Sequence, residues 1–227
     1  MKRPPRVYFS LRSPYSWLAL ERLRRERPGL RERLRFVPYW DPDPDTERAL
    51  AGRGAEFHYV QMSKAKHLYL LQDTKRLAQR LGIRMAWPID VDPWWEVPHL
   101  AWLRARRVGL HWTLFDALAE ARWGRGDDIC DPDVLRKTAD GAGLDGAWLA
   151  EAARDPDVRE EGVDCLVEAY EDDIFGIPYF RVGRHRFWGF ERLDQFLAEL
   201  DGPSTPPVPS AVLPDRSYDT DTPGGCG

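Results

Sequence analysis

Three sets of residues in this chain could do chemistry. The first is Ser13-Pro14-Tyr15-Ser16, directly after a short apolar run, Val7-Tyr8-Phe9. Serine is a preferred N-cap, because its hydroxyl accepts a bond from a free amide of the first turn. Proline suits the next position, where its missing N–H is no loss. A strand would thus deliver one hydroxyl to the positive end of a helix, a place that favours an anion. Ser13 is either a plain cap or a cap that also does chemistry. The second set is Lys66 with Tyr69 and Asp73, the last two about one turn apart on one face. A lysine there is by default a solvated helix charge, and the Tyr69–Asp73 pair a structural hydrogen bond. The third set is Cys130, Cys165 and Cys226. None forms C-x-x-C or a zinc spacing. Cys130 and Cys165 read as core or loop thiols, with an internal nucleophile as the alternative, and Cys226 as irrelevant.

The elements that must position these residues follow from apolar spacing. Val7–Phe9 reads as a strand, and a helix follows from Ser13-Pro14 to the stop at Pro28-Gly29. Leu34–Trp40 reads as a second strand, closed by the loop Asp41-Pro42-Asp43-Pro44. Two strands joined by a helix make a βαβ start, parallel and right-handed. Met62–Leu81 is helical by its leucine spacing, with Gly82 as a stop. Residues 87–98 read as a loop rich in Pro and Asp, His99–Trp123 as helix broken near Gly109, and Asp131-Pro132 as a helix start. Leu144–Ala153 and Asp157–Tyr170 are also helical. Strand signals return at Pro178–Val182 and Arg186–Trp188, with Gly183-Arg184 as the hairpin turn. A last helix runs over Phe190–Leu200. His99 reads as a polar residue at a helix start, and His58 and His67 as exposed.

The chain has 227 residues, 43% of them hydrophobic, enough to bury a sizeable core. The formal net charge of −4 argues against nucleic acid as partner. No run approaches the ~20 apolar residues of a membrane helix. Arg12 and Pro14 interrupt the N-terminal apolar run, against a signal peptide. The sparse, odd cysteine set suits a reducing cytoplasm. Ten tryptophans divide between an aromatic core and a broad apolar pocket. Trp40, Trp87, Trp94 and Trp95 lie in or beside loops, where they line a flat pocket or close an interface. The order is β-α-β, a block of helices, then β-β-α. The class is therefore α/β: residues 1–60 and 156–201 form two halves of one small domain, residues 61–155 an all-helical insertion, and residues 202–227 a disordered tail.

That layout resembles the thioredoxin fold with a helical insertion, as in the DsbA-like superfamily. Ser13-Pro14-Tyr15-Ser16-Trp17-Leu18 resembles the opening of 2-hydroxychromene-2-carboxylate isomerases and kappa-class glutathione transferases. Lys66-His67-Leu68-Tyr69 with Asp73 is similar to their lysine-bearing helix. Asp128-Ile129 with Val134-Leu135 resembles part of their helical domain, Gly176-Ile177-Pro178 their cis-proline segment, and Phe187–Leu193 their last strand and helix start. The resemblance implies that Ser13 hydrogen-bonds a glutathione thiolate, and that Ile177 and Pro178 present backbone groups to the cofactor. It implies that Glu191 holds the γ-glutamyl end, and that Lys66 is a cation near the thiolate or a substrate carboxylate. Tyr15, Trp40 and Tyr69 would line the substrate pocket.

Two departures bear on the cofactor. The residue before Glu191 is Phe190, where glutathione-using relatives tend to carry a small polar residue. The stretch from Trp40 to Lys66 lacks their Asn-bearing, Pro-rich segment. The thiol is therefore glutathione, another small thiol, or none, and no metal is expected. The implied reaction is cis–trans isomerisation of a carbon–carbon double bond conjugated to a carbonyl. The aromatics suit a polyene or aryl-alkenyl intermediate of secondary metabolism, free or on a carrier protein. The alternatives are a thiol transferase and a non-catalytic binding domain with the same fold. A homodimer is compatible with either. A disulfide oxidoreductase is disfavoured, because Ser13–Ser16 stands where C-x-x-C would be.

Overall fold

A computed structural model describes residues 3–58 and 62–202. Four strands form one sheet in the order β2-β1-β3-β4: β1 (Arg6–Phe9), β2 (Arg35–Pro38), β3 (Tyr179–Val182) and β4 (His185–Trp188). β1 and β2 are parallel, β1 and β3 antiparallel, and β3 and β4 an antiparallel hairpin. β1 is central and wholly buried. Its side chains alternate between faces. Arg6 and Tyr8 both meet the buried Asp172, Arg6 at 2.6 Å. Phe9, on the other face, packs edge-on against Trp102 and Phe115 at 5.1 and 5.8 Å between ring centres.

Ten α-helices lie among the described residues. α1 (Pro14–Glu26) follows β1, with Ser13 as N-cap, Pro14 in its first turn and Arg24 and Arg25 complementing its C-terminal end. α2 (Leu30–Arg33) leads into β2. α3 (Pro44–Gly52) and α4 (Lys64–Arg80) follow, then α5 (Glu96–Arg107) and α6 (His111–Ala119), which runs on into a π-helical turn, Glu120–Arg125. The insertion continues through α7 (Pro132–Gly141), α8 (Gly146–Ala150) and a 3-10 turn. α9 (Pro156–Glu171) packs on both β2 and α5, joining the insertion to the sheet. The chain closes with a 3-10 turn, Phe190–Arg192, and α10 (Leu193–Asp201), whose Phe196 stacks on Phe180 at 4.9 Å.

The α/β architecture and its helical insertion are as expected. Three local features add to or correct the expectations. Pro44–Gly52, to which the sequence pattern assigns no element, is a helix: Asp43 caps it by accepting from the Thr46 N–H at 2.9 Å, and Pro44 stands in its first turn. The segment before Gly126 is a π-helix rather than a continuation of α6. The last helix begins as a 3-10 turn. The tail from residue 203, with Cys226, lies outside the described residues. No helix among the described residues is long and apolar enough to cross a membrane.

Candidate active site

The strand directions bring Ser13, Trp40, Ile177, Pro178 and Glu191, though not Lys66 or Tyr69, to one end of the sheet. β1 and β2 end there, leading to Ser13 and to Trp40. β3 begins there, after Ile177–Pro178, which is a cis peptide as the resemblance implied. β4 ends there, leading to Glu191. The register sets Tyr8 opposite Tyr179 and Tyr179 opposite Trp188, and the Gly189 N–H donates to the Pro178 carbonyl at 2.9 Å. α1 lies between α4 and the 3-10 turn that carries Glu191.

Ser13 is half-buried. Its Oγ accepts from the Ser16 N–H at 3.2 Å, while its own N–H donates to the Ser10 carbonyl at 3.1 Å. The accepted bond uses a lone pair, so the hydroxyl proton is left to donate outward. The turn before it is fixed from the insertion. His99 is fully buried, and its Nε2 accepts from the Leu11 N–H at 3.0 Å, with the Ser10 hydroxyl also at 3.0 Å. Nδ1 therefore carries the proton and donates to the Trp95 carbonyl at 2.7 Å. Burial lowers the His99 pKa to about 3, so the ring is a neutral brace. The sequence treats it as an ordinary helix-start residue, because its partners lie some 88 positions away.

Trp40 is corrected from pocket lining to core. It is 2% exposed and lies flat on the His99 ring, 5.1 Å between centres and 13° between planes. Trp17, Trp123 and Trp87 also pack at the junction, Trp17 on Trp123 at 5.7 Å and Trp87 on Trp123 at 6.0 Å. Trp94 and Trp95 instead line a cleft of about 570 Å³, with Arg12, Phe57 and five carboxylates: Asp41, Asp43, Glu47, Asp92 and Glu96. Arg12, the neighbour of Ser13, pairs with Asp41. Asp43 is buried against ionisation, but bonds from Arg159, the Thr46 N–H and Trp94 Nε1 outweigh that and lower its pKa. Burial raises the Glu96 pKa. Arg122, on the π-helical turn, lies between the rings of Trp95 and Trp123 and grips Asp90 with two bonds of 2.8 Å. That grip sets the wall formed by Trp95.

Tyr15 is half-buried and donates to Asp73 at 2.7 Å. Burial first, then that bond, pushes the phenol pKa up, so it stays protonated. Asp73 is thus bonded to Tyr15, and the expected Tyr69–Asp73 pair is replaced. Tyr69 is 59% exposed, with the Arg76 guanidinium 5.9 Å from its ring centre. The Tyr15–Asp73 bond ties α4 to α1. Lys66 stands seven residues before Asp73, about 10 Å along the same helix face. It is exposed and makes no ion pair among the described residues. Ile177 is half-buried, and neither of its backbone groups bonds another backbone group among the described residues. Glu191 is exposed, and Phe190 is turned into the core. Cys130 and Cys165 are buried free thiols. Burial pushes both up, Cys165 to about 12.

A buried β1 running into a helix capped by Ser13, with a cis proline just before β3 of the same sheet, is the arrangement of a thioredoxin-type fold. The chain belongs to the DSBA-like thioredoxin family, whose model matches residues 6–201. Within that family it is 30% identical over 190 residues to 2-hydroxychromene-2-carboxylate isomerase of Sphingobium xenophagum, covering 82% of this chain and 92% of that protein. It is an enzyme, an isomerase similar to that one. Its fold matches a solved structure of 2-hydroxychromene-2-carboxylate isomerase with a TM-score of 0.63 at 22% identity, over 87% of this chain and 94% of that one. It also matches a cytosolic disulfide reductase from Pseudomonas aeruginosa solved with GSH, with a TM-score of 0.54 at 16% identity, over 87% and 96%.

Proposed function

We propose that this isomerase interconverts the cis and trans forms of a carbon–carbon double bond conjugated to a carbonyl, with a small external thiol as nucleophile. The observation that carries the reading is Ser13: its oxygen accepts from the Ser16 N–H, an arrangement that leaves the hydroxyl proton to donate. Neither described cysteine can take the thiol's part, because both are buried and their thiols are pushed up.

The residues fit a small thiol. Ser13 would hold its sulfur, the backbone of Ile177 beside Pro178 its peptide portion, and Glu191 an amino group. Phe190 offers no hydrogen bond, so the fit does not single out glutathione. When bound, the thiol adds to the β-carbon and is later expelled, so that the bond between can rotate as a single bond. Lowering a thiol pKa by one unit needs ~1.4 kcal/mol. The N-terminal end of α1 supplies ~0.3–1 kcal/mol and the Ser13 hydroxyl bond ~0.5–1.5 kcal/mol, a joint range that spans the requirement. Lys66 is the cation that steadies negative charge on the carbonyl oxygen. The cleft beside Arg12 is walled by carboxylates. Asp41 and Asp43 are paired with Arg12 and Arg159, and the carboxylates beyond them would favour a neutral carbonyl such as an ester or thioester over a free acid, on a polyene or aryl-alkenyl chain that Trp94 and Trp95 would flank.

The test is a Z-configured conjugated N-acetylcysteamine thioester, incubated with enzyme and catalytic glutathione. The reading predicts approach to the E/Z equilibrium with thiol neither required in stoichiometric amount nor consumed. One thiol consumed per product would make the protein a transferase. No turnover with any thiol or substrate would favour the binding-domain alternative.

A further inference from the structure

α4 is charged against the rest of the molecule. It carries Lys64, Lys66, Lys75, Arg76 and Arg80 against one acidic residue, Asp73, in a chain whose net charge is −4. All five cations are exposed. Arg76 alone makes an ion pair among the described residues, with Asp73 at 2.9 Å. Elsewhere in the helical insertion several arginines form ion pairs: Arg104 with Asp155, Arg106 and Arg107 with Glu161, Arg122 with Asp90. Between the α4 cations stand two large apolar residues in water, Leu68 at 49% and Tyr69 at 59% exposure. The inward positions, Thr74, Leu77 and Ala78, are buried on the protein, so this face is left over from folding. It also borders the site, because Asp73 on the same helix bonds Tyr15 on the helix that Ser13 caps.

We infer that α4 is the docking face for an acidic acyl carrier protein, which presents the conjugated acyl group to Ser13 as a thioester. Two observations favour this partner over other polyanions. The exposed Leu68 and Tyr69 give the face an apolar centre with a cationic rim, the pattern of a protein interface rather than of a phosphate-backbone groove. The cleft beside Arg12 is lined mainly by carboxylates, which suit a carbonyl delivered without charge, as a carrier thioester delivers it. Opposite charge at the rim speeds encounter and selects the partner more than it deepens affinity. The inference rests on the isomerase reading for its cargo, and the docking itself can be measured without turnover.

The experiment compares the wild type with a Lys64→Glu/Lys75→Glu/Arg80→Glu variant, which leaves Ser13, Tyr15 and Lys66 in place. Two substrates carry the same Z-acyl group, one on an acyl carrier protein and one on N-acetylcysteamine. Anisotropy of a labelled, unacylated carrier protein reports docking alone. The expected result is a loss of about tenfold or more in kcat/KM for the carrier-borne substrate and in carrier affinity, with the N-acetylcysteamine rate unchanged. Raising salt should erase the wild-type advantage. Equal rates for both proteins on the carrier-borne substrate would overturn the inference, as would tighter binding of duplex DNA or phosphatidylglycerol vesicles than of the carrier. If neither substrate turns over while charge-dependent carrier binding persists, the isomerase reading fails and the docking face stands.

Discussion

Two helices flank the site, and they are built in opposite ways. α5 buries a run from Glu96 to Ala105, polar residues included. Each charge on it is answered: the Glu96 carboxylate accepts from the Asp43 N–H at 2.6 Å, and Arg104 bonds Asp155 at 2.5 Å. α4 is longer yet buries only Thr74, Leu77 and Ala78, and leaves most of its cations in solvent. α5 holds the site's geometry through His99. α4 carries the exposed Lys66, to which our proposal gives the cationic role, and looks outward. Damage to α5 should therefore unfold or misalign the protein, whereas damage to α4 should change function at constant stability.

The largest effect that could break this contrast is at His99. His99→Ala removes three interactions and leaves a cavity under Trp40, so it should cost about 3 kcal/mol in urea unfolding, and activity should fall with it. Lys64→Gln should move stability by less than about 0.5 kcal/mol. Comparable losses at both positions would erase the distinction.

The pH dependence of stability sharpens it. The folded pKa of His99 is about 3, below the ~6.5 of an unfolded histidine. Between those values the unfolded state binds the extra proton, so stability is full above pH ~6.5 and falls as pH drops toward 3. Thermal melts from pH 7 to pH 4 should show this slope, and His99→Gln should flatten part of it. Next in size, Lys66→Met should lower kcat about tenfold through lost charge stabilisation, with an unchanged melt. Tyr15→Phe frees Asp73 and should cost about 1 kcal/mol. Smallest of all, Cys165→Ala should leave turnover as it was, and peptide mapping of the native protein should find Cys130 and Cys165 unmodified by iodoacetamide at pH 8, because burial holds both thiols protonated.

What the sequence shows of this molecule is what is local. The β1–turn–α1 opening, the Pro132 and Pro156 helix starts and the hairpin at Gly183 all carry their signals in neighbouring residues. α3 does not: Asp41-Pro42-Asp43-Pro44 reads as a loop, and only Thr46 and Leu50 of the helix are buried, too few for an apolar period. The π-helical turn has no compositional mark. Ser13 is visible as a cap because capping is a short-range event. The pairing of His99 with the Leu11 N–H, of Tyr15 with Asp73 and of Trp40 with the His99 ring joins distant positions, and no spacing rule reaches them. Burial, which turns Trp40 from pocket wall to core, is likewise a property of the assembled fold.

The most direct measurement is the E/Z interconversion rate of Ser13→Ala against wild type, followed by NMR with catalytic thiol, alongside a melt of each protein. A cap lost to alanine costs about 1 kcal/mol, so both proteins should be folded at 25 °C. The variant is expected to lose at least about 100-fold in rate while remaining native. A folded Ser13→Ala protein that isomerises at the wild-type rate would contradict the assignment and leave Ser13 only a helix cap.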